Sequence, residues 1–502
     1  MIRVIDFDGE TAVVHPTDTV GLCRVQRQPI SFTVGDDCAK SVRADLVFFF
    51  ENLSAVVQAI ATVLRKEGAL SRGVVVGYDT RFLSKEFAEE AARVLSSHRI
   101  PVFLAVRDVP TPCIAFTILH RKLLGGINLS ASHNPPEYGG IKFSPAYGGP
   151  AGVDVTHHIE DEIRKIISDG KKGPEKREKP AKISWIDPAP PYLSHLASLI
   201  DTKILKKANL RVVVDCLNGT SRGYLDRFLE PYAKSLRRLR MVRDPTFGGK
   251  RPDPCEENLS GLMQTVRKTG ADLGLATDGD ADRFGIVDRG GHFIPPNDVI
   301  SLVLEYLIET RPHAPYVARS LATTHRVDLI AYAHGMGRVE TAVGFKYIGE
   351  VLSQGKCLLG AEESAGLSIR NHVPEKDGIL ACLLVAEMVA DRRRSLREML
   401  KVLDRKYGPF HSSRIDLALS ESSKKTLLSN LEKNPPQALG KRKVLKCGRQ
   451  DGFKLYLDKE SWVLLRPSGT EPLVRVYLET RSRKDLKAIQ QATERLIRQL
   501  ST

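Results

Sequence analysis

Residues 273–283 read LGLATDGDADR. The apolar run Leu273–Ala276 precedes three aspartates at alternate positions, Asp278, Asp280 and Asp282, with Arg283 directly after them. A short apolar run bounded by turn residues reads as a buried strand. Here that strand delivers a polar loop at its carboxyl end, where parallel sheets keep their ligands. Three carboxylates around a glycine can turn inward onto one hard cation, and Mg²⁺ takes oxygen ligands, often with a phosphate oxygen among them. An EF-hand is excluded: the twelfth position counted from Asp278 is Arg289 rather than Glu, and glycine is second rather than sixth. The plain alternative is a solvated acidic turn.

The same grammar recurs on both sides. Val74–Val76 ends at Gly77, a helix is expected over Ser84–Ser97 with Ser84 as its N-cap, Val102–Ala105 follows, and Gly126–Leu129 runs into another polar loop. Asn52–Lys66 reads as a preceding helix, whereas residues 1–28 carry no clear pattern. Lysine, proline and glycine dominate residues 169–190, a linker or surface excursion. Alternation resumes at Arg211–Val214 and reaches Lys356–Leu359. Strands alternating with helices predict parallel sheets in α/β units. After residue 408 the order changes: strands Ser461–Leu465 and Val474–Leu478 precede a helix near Lys484–Leu500.

Three further loops carry chemistry. Ser130-Ala131-Ser132-His133-Asn134-Pro135, with Lys142 beyond it, offers a hydroxyl that can carry a phosphoryl group if its charge is neutralised and a base takes its proton. Read alone, it is equally a Ser/Asn-rich turn. Glu362-Glu363-Ser364-Ala365-Gly366 can hydrogen-bond vicinal sugar hydroxyls, or be an acidic surface turn. Arg466-Pro467-Ser468-Gly469-Thr470-Glu471-Pro472, with Arg475 after it, combines hydroxyls, freed backbone N–H groups and arginines into a phosphate cradle. It lacks Walker spacing, and a proline-bounded turn is its alternative.

Composition narrows the class. The chain has 502 residues, 42% of them hydrophobic, enough for several buried cores. The net charge of +15 is spread along the chain without aromatic interleaving, so no nucleic-acid partner is expected. Eight cysteines without a CxxC pair suit free thiols in a reducing cytosol. The first residues, MIRVIDFDGE, lack an apolar signal core, and the richest apolar stretch, Ile379–Ala390, is too short to span a bilayer. A cytoplasmic location and no membrane partner are expected.

Taken together, the four loops resemble the α-D-phosphohexomutase family of phosphoglucomutases and phosphomannomutases. The resemblance runs from about Asn52 to the C-terminus, and includes VVVGYDTRFLS at Val74–Ser84, VPTP at Val109–Pro112 and HVPEKDGIL at His372–Leu380. It implies α/β domains at 1–180, 188–298 and 299–406, with mixed, largely parallel sheets, and an α+β domain at 407–502, all around one central cleft. It implies Ser132 as the phosphorylated residue, His133 beside it, Lys142 for acid–base work, and Mg²⁺ held by Asp278, Asp280, Asp282 and a phosphoserine oxygen of Ser132. Arg283 and Lys346 match substrate contacts, Glu362 and Ser364 the sugar-recognising pair, and Arg466, Ser468, Gly469 and Thr470 the loop on the non-reacting phosphate. The implied substrates are hexose phosphates and hexose 1,6-bisphosphate, with glucose favoured by the text around Lys346 and EKDG and a phosphomannomutase or dual-specificity mutase as the alternative, acting in a monomer or homodimer.

Two departures stand out. Ala361 and Ala365 replace glycines of the sugar loop, and alanine lacks easy access to positive φ, so a modest change of loop shape is expected. The family's N-terminal arginine motif is replaced by text in which either Lys40 or Arg43 stands for the arginine. An inactive sugar-phosphate-binding relative is the alternative of another class.

Overall fold

The computed structural model describes residues 50–168, 179–468 and 473–501, together with a two-stranded pairing of Ala12–Val13 and Gln26–Arg27. Lys40, Arg43, Gly469 and Thr470 lie outside the described residues. The chain groups into two compact units. The first comprises residues up to Pro296, plus Gly344–Gly355 and Ser364–Ser395. The second comprises Asn297–Val343, Lys356–Glu363 and Leu396–Thr502. The stretch expected as a third domain is thus divided between them.

The first unit holds two mixed sheets. In one, the strand order is Ile141–Pro145, Gly125–Leu129, Val74–Tyr78, Val102–Ala105 and Ile183–Ile186. All neighbours are parallel except Ile141–Pro145, which runs antiparallel to Gly125–Leu129. Val74–Tyr78 and Gly125–Leu129 are buried at every position, as strands covered on both faces must be. Helices Phe50–Glu67, Ser84–Ser97 and Val153–Ser168 bring apolar side chains into their core.

Ile183–Ile186 corrects the reading of residues 169–190 as a linker. Its β-branched and aromatic residues pair with Val102–Ala105 at the sheet edge, and the flanking lysines and prolines hide it in the sequence. Ser84 is also corrected. It begins its helix, but its hydroxyl donates to Asp79 instead of capping, and Leu83 precedes it in the left-handed region.

The second sheet of this unit runs His292–Ile294, Phe284–Asp288, Leu273–Thr277, Arg211–Asp215 and Ser235–Leu239. Leu273–Thr277 is parallel to Arg211–Asp215 and antiparallel to Phe284–Asp288. The aspartate loop therefore joins two adjacent strands as a hairpin. Helix Gly378–Arg392 is buried along nearly its whole length, and Asp377 caps it by accepting from the Leu380 N–H.

In the second unit, Tyr316–Ser320 lies between Gly337–Thr341 and Cys357–Glu362, all parallel. The tail is an antiparallel sheet ordered His411–Ala418, Leu473–Thr480, Trp462–Pro467, Phe453–Tyr456 and Lys446–Gly448, with helices Glu421–Lys433 and Arg483–Leu500. Its core is built from Leu427, Leu455, Val463, Val476 and Ile489 among others. A second cluster sets Trp462, Leu464 and Tyr477 of the tail against Leu321, Ala322 and Val343. Beside it, the buried Lys454 Nζ donates to Leu321 O at 2.6 Å, lies 3.0 Å from His325 Nε2 and sits over the Trp462 ring. Among the described residues, no helix is long and apolar enough to cross a membrane.

Candidate active site

Ser132 follows the strand Gly125–Leu129, in a turn where its φ is +52°. A non-glycine residue held there is strained, and such strain gathers at functional sites. Its side chain is fully buried, and its Oγ donates to Asp278 Oδ2 at 2.7 Å. Ser130 Oγ accepts the Ser132 N–H at 2.9 Å, and His133 Nδ1 lies 3.4 Å from Ser132 Oγ. The aspartate hairpin comes this close because residue 279 is glycine: a Cβ there would sit 2.7 Å from the Ser132 carbonyl oxygen.

Lys142 enters from the next strand, directly opposite Asn128 in the antiparallel register. Its Nζ donates to Asp280 Oδ2 at 2.6 Å and to Asp282 Oδ2 at 3.0 Å. Asp280 Oδ2 also accepts from Ser130 Oγ and from Thr111 Oγ1, and Thr111 is itself held by Asn128 Nδ2 at 2.8 Å. Lys376 Nζ stands 3.6 Å from Asp282, and Arg283 flanks the same carboxylate.

These contacts set the charge states. Burial pushes the Asp278 carboxyl well above its ordinary range, and repulsion from Asp282 and Asp280 adds to this. Burial also acts to raise Asp282, but Lys142, Lys376 and Arg283 outweigh it and hold that group below the usual carboxylate range. His133 is pushed well below its ordinary value by burial and then by Arg283, Arg251, Lys142 and Lys376, so it is neutral at pH 7.

The three aspartates suit a hard divalent cation. One oxygen from each lies within 4.8 Å of the others. Asp280 Oδ1 and Asp282 Oδ1 are buried with no hydrogen-bond partner among the described residues, a costly state for a carboxylate oxygen unless an ion takes it. The donor set is all oxygen, as Mg²⁺ prefers.

Arg283, Lys346 and Ser364 belong to the same unit as Ser132, with Lys346 buried on helix Phe345–Ser353. Glu362, at the end of its strand, and Arg466 and Ser468 of the tail belong to the other. There, Glu363 accepts from Ser320 Oγ at 3.0 Å, and burial followed by repulsion from Glu362 pushes it up to about 7. Arg466 donates to Asp451 at 2.9 Å and pairs directly across the strands with Arg475. Like charges placed opposite one another repel, and an anion beside them relieves the repulsion. Ala361 lies within a strand, and Ala365 adopts φ +67° despite its Cβ.

Residues beyond the expected set support this site: Arg81, Thr111, Asn128, Ser130 and Lys376. The signal for Arg81, Thr111 and Lys376 lay in the DTR, VPTP and EKDG stretches, which carried the resemblance without assigned roles, whereas Asn128 and Ser130 stand in the strand and loop that lead to Ser132.

Profiles of the phosphoglucomutase/phosphomannomutase α/β/α domains I, II and III match residues 36–169, 190–291 and 295–407, and that of the C-terminal domain matches 425–496. The chain is 31% identical over 427 residues to a phosphoglucomutase/phosphomannomutase of Thermococcus kodakarensis, covering 84% of this chain and 89% of that protein. It is 29% identical over 485 residues to a phosphoglucomutase of Komagataeibacter xylinus, covering 88% and 86%. A crystal structure from Thermus thermophilus, with a provisional phosphomannomutase name, superposes with TM-score 0.78 at 31% identity over 90% of this chain and 95% of that one.

Fold, site and relatives define an enzyme, a mutase that transfers phosphoryl groups on hexose phosphates. The chain belongs to the phosphoglucomutase/phosphomannomutase family, the α-D-phosphohexomutases.

Proposed function

We propose that the chain interconverts hexose 1-phosphates and hexose 6-phosphates through a phosphoserine at Ser132 and a hexose 1,6-bisphosphate, with glucose phosphate the preferred sugar. The observation that carries this reading is the buried Ser132 hydroxyl, 2.7 Å from Asp278, in a cluster that also holds Lys142 and two further carboxylates.

In the first transfer the Ser132 Oγ–phosphorus bond breaks and a bond from the sugar hydroxyl to phosphorus forms. The sugar hydroxyl gives up a proton and the serine oxygen takes one up. Lys142 and the neutral His133 are the groups placed to carry it. The second transfer returns the other phosphate to Ser132. Asp278, Asp280 and Asp282 would hold Mg²⁺, which would supply positive charge against the spread negative charge of the transferring group. Arg283 and Lys346 contact substrate, Glu362 and Ser364 bind sugar hydroxyls, and Arg466, Ser468, Gly469 and Thr470 hold the phosphate that does not react. The text around Lys346 supports glucose. The Thermococcus relative's double name supports a dual glucose and mannose specificity as the second reading.

Intact mass and a coupled assay test both levels. One phosphate on Ser132, with turnover of glucose 1-phosphate exceeding that of mannose 1-phosphate, is expected. Comparable rates on both sugars select the dual reading. Full turnover in Ser132→Ala overturns the serine mechanism.

A further inference from the structure

The backbone around Ser132 is held by one side chain that the chemistry above does not use. Arg81 is 2% exposed, in the loop after the strand Val74–Tyr78. A guanidinium carries five N–H donors in a fixed planar fork, and here each has an acceptor. Nε donates to Asp79 Oδ2 at 3.0 Å. Nη2 donates to the carbonyls of Ser132 and Asn134, both at 2.8 Å. Nη1 donates to the carbonyls of Pro135 and Tyr138, at 2.5 Å and 2.9 Å. Asp79 is fixed in turn by the Arg81 N–H and by Ser84 Oγ, and the Phe247 ring packs against the guanidinium.

We propose that Arg81 is a positioning residue for phosphoryl transfer: by gathering four carbonyls of the serine loop, it holds Ser132 in its left-handed conformation with Oγ on the aspartate cluster. Two observations and one chemical argument converge on this role. The conformation is unfavourable for serine and needs support from its surroundings. The Ser132 carbonyl that Arg81 holds is also the atom against which Gly279 packs, so the clamp sets the spacing between nucleophile and metal loop. Lysine offers three rotatable donors on a point charge and cannot reproduce a planar five-donor fork. The proposal rests on the Ser132 mechanism above.

The test is a single-turnover measurement on the full chain carrying phosphate on Ser132. Phosphoenzyme carrying a radiolabelled phosphate on Ser132 is mixed with glucose 6-phosphate, and transfer of the label from protein to sugar is followed by rapid quench. In Arg81→Lys, the rate constant per phosphorylated molecule falls about 100-fold, the scale of a nucleophile displaced by about an ångström. KM for glucose 6-phosphate stays within about two-fold, because the substrate contacts lie on other residues. A purely structural role leaves that rate constant unchanged and lowers only the amplitude, as less folded protein is present, and that outcome overturns the proposal. If Arg81→Lys does not fold, Asp79→Asn carries the test: an amide NH₂ facing Arg81 Nε releases the fork, and an unchanged transfer rate overturns the proposal. A parent chain that accepts no phosphate at Ser132 overturns the serine mechanism and this role with it, distinguishable because the parent itself fails.

Discussion

Lys142 Nζ lies 2.6 Å from Asp280 Oδ2, the same oxygen that accepts from Ser130 and Thr111. One oxygen of Asp280 is therefore saturated by three donors, while Oδ1 is buried and has none among the described residues. Asp280→Asn can keep its carbonyl oxygen toward the three donors and present NH₂ where the cation needs an oxygen. The variant should melt close to the parent and bind Mg²⁺ more weakly. Losing a charge-assisted contact costs on the order of 1.5–3 kcal/mol, roughly ten-fold to a hundred-fold in affinity. Calorimetric Mg²⁺ titration and the Mg²⁺ dependence of turnover check it, and parental activity that ignores EDTA would remove the metal from the reaction.

Arg466→Ala should raise KM for sugar phosphates. Arg466 donates to Asp451 at 2.9 Å and stands opposite Arg475 in the strand register, and the proposed phosphate would add to these contacts. A charge-assisted bond to phosphate contributes on the order of 1.5–3 kcal/mol, so the expected rise is about ten-fold to a hundred-fold. Steady-state kinetics measures it, and an unchanged KM moves the phosphate elsewhere.

Ala365→Gly should stabilise the protein slightly. Ala365 holds φ +67°, a conformation that costs a non-glycine residue about 1–2 kcal/mol. Glycine gives back about 0.5–1 kcal/mol through its greater loss of freedom on folding. The net gain lies between about 0 and 1.5 kcal/mol, seen as a rise in Tm of no more than about 6 °C. A fall in Tm would show that the Cβ contributes packing that outweighs the strain.

Lys454 gives the second unit a pH dependence of defined sign. Burial first, and then Arg319, lower its pKa from 10.5 to about 7. Between about pH 7 and 10.5 the unfolded chain holds a proton at this group that the folded chain has lost, so stability rises with pH through that window. Below about pH 7 both states are protonated and the penalty for burying the charge is complete. Lys454→Met should remove this rise. Thermal melts of parent and variant at pH 7 and pH 9.5 measure it, and parallel changes in the two proteins would assign the dependence to other groups.

The groups of the proposed site were legible in the sequence because their chemistry is dense within short loops. Ser132 and His133 are neighbours in one turn, and the three aspartates are neighbours in one hairpin. Arg81 was not legible as a clamp. Four of its five acceptors are backbone carbonyls about fifty residues away, and a carbonyl has no residue identity to read. Ser84 was misread for a related reason: serine before a helix is a capping signal, yet the Asp79 carboxylate, placed by the neighbouring loop, competes for its hydroxyl. Ile183–Ile186 was hidden because a short edge strand shows little beyond its alternation, and lysines and prolines surrounded it.

Local chemistry thus determined, from the sequence alone, which strands are buried, which loops carry carboxylate, hydroxyl and arginine, and the order in which they occur. Those properties follow from residue type and short-range periodicity. Tertiary structure alone decided that Lys142 bridges Asp280 and Asp282, that Asp278 and Asp282 titrate in opposite directions, and that Ser132 and Ala365 take left-handed backbone. Each of these depends on groups more than a hundred residues apart, or on a backbone state imposed from outside, and Coulomb and steric energies are fixed only once such distances exist.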